Sequence, residues 1–426
     1  MSTQPRKAAL LASLGAGFEY YDFIIYGMMA NYLSTLFFVE DVPWVILMKT
    51  FAVFAVGYLA RSFGGIFFGM FGDTYGRKKT FLCVMLLMGI ATFSIGLLPT
   101  YEQIGVLAPA SLVFFRILQG LSFGAELPGA MTVAYEYALE KKRGIYSMYV
   151  LASTSIGALL ASFILYCLTS VFPENQILSW GWRIPFLFGG LLIVANYLIR
   201  RNLDETPEFI LWQKTRSQTA SLKDPFTTLS KAYKGRLIQG IGLTSFVSSL
   251  VMTGLYFPTY LTVYFGYQPA EVYLTIFWSL LWSALILPFC GWLADTLGKK
   301  CLFISTLLIF IVAIFPLFGL LEKQSFAALQ LFLVLYQTLL GLASACYFPL
   351  LGDLFPTNVR YTGTATCYNL TYSLMAMLPA ILTGLIHYHG TVFALVWVLL
   401  GFALITFVSI LFHHYFLTLP EKTKSV

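Results

Sequence analysis

Charged residues are scarce in this sequence. Asp, Glu, Lys and Arg make up 11% of the 426 residues, 58% are hydrophobic, and the mean hydropathy is +0.79. A soluble domain carries about 25% charged residues, so this scarcity excludes an ordinary soluble fold. The apolar residues form long runs, whereas the strands of a membrane β-barrel would alternate in short segments. The sequence therefore predicts an all-α integral membrane protein.

Cysteine and catalytic signatures are also sparse. The six cysteines show no CxxC spacing, and we interpret them as small packing residues rather than disulfide partners or metal ligands. The apolar runs contain no zinc-binding His/Glu spacing, nucleophile elbow or catalytic dyad. We therefore expect no metal, no cofactor and no enzymatic activity. A non-transporting receptor is the remaining alternative of a different class, and it would bind a ligand without concentrating it.

Twelve apolar runs are long enough to cross a hydrocarbon core about 30 Å thick. They lie near residues 10–38, 48–71, 80–99, 105–137, 145–172, 183–199, 237–265, 270–293, 301–320, 326–351, 361–386 and 391–416. The expected domains are an N-terminal six-helix half (1–200), a cytoplasmic linker (201–236) and a C-terminal six-helix half (237–426). The first run has no cleavable signal pattern, so we expect it to be retained as a helix.

The basic residues fall in alternate loops and in both tails, which places both termini in the cytoplasm. This distribution accounts for the net charge of +7 by contact with anionic lipids of an inner membrane, without nucleic acid.

A loop motif occurs twice at a constant offset of 222 residues, which indicates an internal duplication. The first copy, residues 69–80, reads GMFGDTYGRKKT, and the second, residues 291–300, reads GWLADTLGKK. Between hydrophobic helices, this pattern resembles the loop that joins helices 2 and 3 in the major facilitator superfamily of membrane transporters, and its repeat resembles the loop between helices 8 and 9. The resemblance implies two pseudo-symmetric six-helix halves. It also implies a cytoplasmic gate motif, which we assign to Gly69, Asp73, Gly76, Arg77, Asp295, Gly298, Asp353 and Arg360.

We assign five charged residues to the buried set of the N-terminal half: Glu19, Asp22, Arg61, Arg116 and Glu126. Intramembrane charges usually mark an ion or substrate pathway. Three acids face two bases, so one carboxyl group should take up a proton readily, as proton-coupled transport requires. We assign the proton to Asp22 or Glu126, with Arg116 as the competing partner and Glu19 as a modulator. Arg61 is either a structural anchor or a member of this charge network.

Several stretches narrow the resemblance to the metabolite:proton symporter family. They are EYYD from Glu19, RILQGLSFGAE from Arg116, WGWRIPF from Trp180, LDETPEF from Leu203 and LFPTNVRYTG from Leu354. That family includes proline/betaine, dicarboxylate and α-ketoglutarate importers, so the resemblance implies proton-coupled uptake of a small polar metabolite. The chain departs from the family pattern at Ser62, Ala125 and Tyr20. Its tail is also too short for the coiled coil of osmosensing betaine carriers.

Aromatic and amide side chains replace charge in the spans of the C-terminal half. By the superfamily resemblance, helices 1, 4, 7 and 10 line a central cavity. The candidate substrate-binding residues are Tyr26, Arg116, Gln119, Tyr256, Tyr260, Tyr336, Gln337 and Asn369. Aromatics at helical spacing also simply pack bundles or lie at the membrane interface. Arginine, carboxylates and tyrosines together suit a zwitterion such as an amino acid or betaine.

An exporter of drugs or siderophores on the same fold is the alternative function. Drug antiporters of the superfamily usually carry a Gly-Pro pair in helix 5, which this sequence lacks in SMYVLASTSIGALLAS, residues 147–162. We expect a monomer whose partners are the substrate, the proton and the bilayer.

Overall fold

Backbone N–H and C=O groups within a bilayer must be satisfied inside the segment that spans it, so long apolar runs form helices. The structure is a computed structural model that describes residues 17–38, 43–75, 77–124, 127, 142–200, 233–355, 360–389 and 393–412. Within these ranges the chain is almost entirely helical and contains no strand.

Twelve helical segments form two sets of six. In the N-terminal half, α1 comprises residues 17–28 and Ala30–Phe37, α2 is Pro43–Tyr75, α3 is Arg77–Leu97, α4 is Leu107–Phe123, α5 is Arg143–Val171 and α6 is Arg183–Arg200. In the C-terminal half, α7 is Lys234–Phe265, α8 is Pro269–Leu297, α9 is Lys299–Gly319, α10 is Phe326–Asp353, α11 comprises Arg360–Met375 and Leu378–His389, and α12 is Ala394–Leu411. Short helical pieces lie between them at Tyr101–Ile104, Glu174–Gln176, Ile177–Gly181 and Leu321–Lys323.

The membrane-spanning character of these helices agrees with the hydropathy of the sequence. Among the described residues, eight helices are long and apolar enough to cross a membrane, and the bent pair Glu174–Gly181 and Arg183–Leu198 makes a ninth. Shorter apolar helices cover Leu82–Leu97 and Leu107–Phe123. Together with α1, a helix corresponds to every predicted span. The predicted all-α architecture of twelve helices is confirmed in the described part of the chain. Most of the predicted linker, residues 201–232, lies outside the described residues.

Glycines bring α2 and α4 into close contact. A Cβ atom added at Gly120 would collide with the carbonyl oxygen of Gly57, and one at Gly124 would collide with the carbonyl oxygen of Arg61. Small residues at regular spacing allow membrane helices to approach this closely. This packing carries Arg61 to the interface between the halves.

The two halves meet along two seams, one between α2 and α11 and the other between α5 and α8. We call the end of the bundle that carries Arg143, Lys299 and Asp353 the basic end. At the opposite end, Trp44 of α2 stacks on His387 of α11 with ring centroids 4.4 Å apart. The space between the seams holds the candidate site.

The turn between α8 and α9 depends on one glycine of the second loop motif. Gly298 has φ of +88°, in the left-handed region that L side chains rarely adopt. This turn reverses the chain at the basic end and leaves Asp295 in the last turn of α8.

Candidate functional site

A cavity of about 130 Å³ lies between the two halves, lined by side chains from both. Its hydrogen-bonding groups are those of Tyr20, Tyr58, Arg61, Thr154, Ser155, Ser279, Ser283, Tyr336, Gln337, Ser344, Tyr347, Tyr368 and Tyr372. Among the described lining residues, Arg61 is the one charged side chain, and no carboxylate is present. The chemistry of the cavity is therefore cationic and rich in hydroxyl groups.

The Arg61 guanidinium is buried at the wall of this cavity, with 1% of the residue exposed. Its carbon atom lies 4.5 Å from the ring centroid of Phe123 in α4 and 4.7 Å from that of Tyr368 in α11. These are cation–π distances. Its Nε donates to Oδ1 of Asn369 at 2.7 Å, while Nη2 has no hydrogen-bond partner in the described part of the chain.

Asn369 connects the two halves through both ends of its amide group. The oxygen accepts from Arg61, and Nδ2 donates to the carbonyl oxygen of Gly124 at 2.9 Å. One side chain of α11 thus binds α2 and α4 at once. The sequence singled out Asn369 as a substrate ligand, and the structure places it beside the cavity as a contact across the seam.

A second polar contact holds the α2–α11 seam one helical turn further along α11. The Ser373 hydroxyl donates to the carbonyl oxygen of Tyr58, and it lies 2.9 Å from the Ser62 hydroxyl. Ser62 stands where the family pattern has proline, so this departure supplies a hydroxyl group at the seam.

Arg116 lies within the N-terminal half, away from the cavity lining. The residue is fully buried, and its Nη1 donates to Oε1 of Gln119 at 2.9 Å and to the carbonyl oxygen of Phe23 at 3.4 Å. Nη2 donates to the carbonyl oxygen of Phe54 at 3.5 Å, and the ring of Tyr26 lies 4.5 Å from the guanidinium carbon. Neutral carbonyls, an amide and aromatic rings therefore surround this charge among the described residues.

Asp22 is fully buried, and neither carboxyl oxygen has a hydrogen-bond partner in the ranges that the structure describes. A Cβ atom at Gly189 of α6 would meet both this carboxyl group and Thr92 of α3, so the three residues adjoin. Gln119 Nε2 donates to the Thr92 hydroxyl at 2.7 Å. Thr92 and Gln119 thus lie between Asp22 and Arg116. An ionised carboxylate without partners would be costly here, so this environment suits the neutral acid.

The other two acids predicted for this half are Glu19 and Glu126. Glu19 is buried in α1, with 1% of the residue exposed. Glu126 lies outside the described residues, although its neighbour Leu127 lines the cavity. The assignment of the proton between Asp22 and Glu126 stays a prediction.

The predicted residues of α7 and α10 divide into two groups. Tyr336 and Gln337 line the cavity, and the Tyr336 hydroxyl donates to the carbonyl oxygen of Leu250 at 2.7 Å. Tyr256 and Tyr260 are buried but do not line the cavity, and the Tyr256 hydroxyl lies 3.0 Å from that of Thr383. Tyr26, Arg116 and Gln119 belong to the interior of the N-terminal half instead.

One predicted gate residue of the second loop motif, Asp295, connects the halves at the basic end. The carboxylate of Asp295 accepts from the backbone N–H groups of Gly144 at 2.9 Å and Ile145 at 3.0 Å. These are free donors of the first turn of α5, where the helix dipole favours negative charge. A Cβ atom at Gly291 would lie 2.7 Å from the Cα of Ile145, so this glycine permits the contact.

Asp353 adds an ion-pair network beside this cap. Its carboxylate lies 3.6 Å from Nη1 of Arg143 in α5 and 3.5 Å from Nζ of Lys299 in α9. Arg360, which we assigned to the same gate motif, begins α11, but its side chain lies outside the described residues. The same holds for the side chains of Asp73 and Arg77 and for Gly76, while Gly69 lies within α2.

Tyr58, Thr92 and Ser373 are among the residues of the site that sequence reasoning missed. Tyr58 lies at the i−3 position from Arg61, so helical spacing could have found it. Thr92 and Ser373 stand in ordinary apolar spans, and no local signal distinguishes them.

Comparisons with known proteins agree with this architecture. The family model described as Major Facilitator Superfamily matches residues 13–378 and 240–426. The inner membrane metabolite transport protein YhjE of Escherichia coli K12 is 33% identical over 418 residues, 96% of this chain and 94% of its own. The citrate-proton symporter of Klebsiella pneumoniae is 29% identical over 385 residues, 90% of this chain and 86% of its own. The xylose transporter XylE from E. coli, in a partially occluded inward-open structure, has a TM-score of 0.72 and 15% identity, with 98% of each chain covered.

Proposed function

Because this chain belongs to the Major Facilitator Superfamily, we propose that it imports a small metabolite bearing a carboxylate, together with a proton. Transport proceeds by alternating access of the central cavity to the two sides of an inner membrane. Amino acids, betaines and small carboxylic acids all belong to this substrate class. The observation that carries the proposal is the cavity whose described lining has one cation and no carboxylate.

The charge of the cavity supports a carboxylate. Arg61 offers hydrogen-bond donors to a planar anion, and the six described tyrosines of the lining offer hydroxyl groups and ring faces. Citrate, which the Klebsiella relative carries, is a carboxylate. So are the substrates of the importers that the sequence resembles. In a zwitterion, the positive group would face the tyrosine rings.

The size of the cavity supports uptake of a small metabolite over export of drugs. A cavity of about 150 Å³ holds a ligand the size of benzene, and the volume here is about 130 Å³. Sites for drug-sized ligands measure about 300–1,000 Å³.

We assign the coupled proton to Asp22. Its carboxyl group is buried and lacks a hydrogen-bond partner among the described residues, as suits a proton-loaded acid. Release of the proton would leave a carboxylate at Asp22, near Thr92 and Gln119. The positive charge of Arg116, which Gln119 binds, would attract this carboxylate. One charge moved through 100 mV is worth about 2.3 kcal/mol, which sustains roughly 50-fold accumulation.

We place the basic end, and both termini, in the cytoplasm, because basic residues accumulate in cytoplasmic loops. Asp295 and Asp353 then form the inner gate between α5 and the C-terminal half. The Trp44–His387 stack lies at the outer end. We propose that the protein works as a monomer, without nucleic acid, metal or cofactor, and performs no catalysis.

Uptake into proteoliposomes tests this function. Radiolabelled proline, glycine betaine, succinate and citrate are offered with and without an inward proton gradient, to wild type and to Asp22→Asn. We expect one of them to accumulate in wild type and the variant to retain exchange while losing gradient-driven accumulation. Glu174→Gln, at an exposed position of the short helix Glu174–Gln176, is the matched control. If uptake by wild type does not depend on the proton gradient, proton coupling is contradicted.

A further inference from the structure

The Arg61 guanidinium is held in a way that leaves one edge only half occupied. Phe123 of α4 and Tyr368 of α11 contact its π face, and Tyr58 and Tyr372 lie 5.8 and 5.6 Å away. These rings orient the guanidinium plane. Of the two donors on the Nε–Nη2 edge, Nε is bound to Asn369, and Nη2 has no partner among the described residues.

That edge matches the geometry of a carboxylate. Two parallel N–H groups on one side of a guanidinium bind both oxygens of a carboxylate, and such charge-assisted bonds are about twice as strong as neutral ones. Asn369 supplies a single neutral amide oxygen. An incoming carboxylate therefore offers the edge two acceptors and a negative charge, whereas the described residues offer it one acceptor without charge.

Competition between a carboxylate and Asn369 for Arg61 has a structural consequence, because Asn369 also binds α4. Its Nδ2 donates to the Gly124 carbonyl oxygen, so the amide binds α11 to both α2 and α4. If the hydrogen bond between Arg61 and Asn369 breaks, α11 loses one of its polar bonds across the seam. It keeps the contact of Ser373 with Tyr58 and Ser62.

We propose that Arg61 binds the carboxylate of the transported metabolite through its Nε–Nη2 edge, and that this binding displaces Asn369 and loosens the α2–α11 seam. The inference rests on the proposed function and deepens it. The substrate is recognised by its carboxylate, and its arrival weakens a contact that the halves must break to rock apart. A ligand can shift such an equilibrium only through a difference in its affinity for the two states, and the exchange of Asn369 for substrate supplies that difference.

Two substitutions of Asn369 shift carboxylate binding in opposite directions. Asn369→Asp places a permanent carboxylate on the edge of Arg61, so we expect the Kd for the bound carboxylate to rise at least tenfold. Asn369→Ala removes the competitor, so we expect the Kd to fall severalfold. A residue that only holds the fold together would weaken binding in both variants. Asn175→Asp, exposed between α5 and α6, is the control for added charge.

The measurement is equilibrium binding of radiolabelled proline, glycine betaine, succinate and citrate to the purified full chain in detergent. Pyrrolidine and choline, which lack the carboxylate of proline and betaine, are offered as competitors and should fail to displace them. Arg61→Lys should weaken binding at least tenfold, because an ammonium cannot provide the planar two-donor edge. Size-exclusion elution at the wild-type volume establishes that each variant is folded.

The outcomes separate this inference from the proposed function. If wild type accumulates a carboxylate under a proton gradient but Asn369→Asp and Arg61→Lys bind it with the wild-type Kd, the inference fails and the function stands. Weaker binding in both Asn369 variants, or displacement by pyrrolidine or choline, also overturns it. If wild type binds none of the four carboxylates, the substrate class fails and takes this inference with it.

Discussion

The carboxylate of Asp295, in the last turn of α8, accepts a hydrogen bond of 2.9 Å from the backbone N–H of Gly144, in the first turn of α5. A residue of the C-terminal half thereby caps a helix of the N-terminal half. The cap joins the halves at the basic end, and both partners must separate before the cavity can open there.

Loss of this cap should favour opening at the basic end. Asp295→Ala removes the acceptor for two backbone donors and a charge that the α5 dipole favours, a change of about 0.5–2 kcal/mol. We expect a cysteine introduced at cavity residue Ser283 to react severalfold faster with a membrane-impermeant maleimide added from the basic end. Alkylation rates in inside-out vesicles measure this effect.

Thr296→Ala is the control, because Thr296 is the exposed neighbour of Asp295 and bonds only within its own helix in the described structure. An unchanged alkylation rate in Asp295→Ala would show that the cap does not hold the gate.

The ion pairs of Asp353 should contribute less than the Asp295 cap to keeping the basic end closed. Substitutions of Asp353 and of its partner Lys299 should also differ in their effect. Asp353 interacts with Arg143 and Lys299 at once, so Asp353→Asn leaves two facing cations, whereas Lys299→Gln leaves one pair intact. These groups are partly exposed, so each pair contributes about 0.2–1 kcal/mol. We expect Asp353→Asn to raise the same alkylation rate more than Lys299→Gln, and salt near 1 M to reduce the difference. Equal rates in the two variants would argue against a shared network.

The carboxyl group of Asp22 has no hydrogen-bond partner among the described residues, so we expect its neutral isostere to fold well. Asn has nearly the same shape as a protonated Asp and introduces no buried charge, so Asp22→Asn should unfold within about 1 kcal/mol of wild type. Thermal unfolding in detergent at pH 8 measures this. A large loss of stability would indicate that the ionised form is held by a partner. Normal folding with lost accumulation would identify Asp22 as a coupling residue.

Because α2 and α4 pack closely, we expect that one methyl group added between them will lower the stability of the protein. Gly120→Ala would drive its Cβ atom into the carbonyl oxygen of Gly57, and overpacking of this kind costs about 1–3 kcal/mol. We expect a lower Tm in detergent and reduced uptake. Gly401→Ala in α12 is the matched control, because no described atom lies within 4 Å of a Cβ atom there. Equal Tm values for the two variants would contradict the close approach.

The spans and the duplication were predictable because each depends on local properties of the chain. A helix must be long and apolar to cross a bilayer, and a duplicated loop preserves its motif. The same local reasoning found buried Asp22, Arg61 and Arg116. The superfamily resemblance also marked Asp295 and Asp353 as gate residues, but it did not indicate the contacts of Asp353 with Arg143 and Lys299.

Which groups face each other was decided by the tertiary structure. Spacing along one helix places Asp22 and Tyr26 on one face, yet helix rotation brings Asp22 against α3 and α6 and Tyr26 over Arg116. The Arg61 partner is 308 residues away in sequence. The sequence by itself determined a twelve-helix carrier with charge buried in its first half. Only the packing of helices from both halves decided that Arg61 reaches the cavity and shares its hydrogen bonds with Asn369, because such contacts depend on helix rotation and depth.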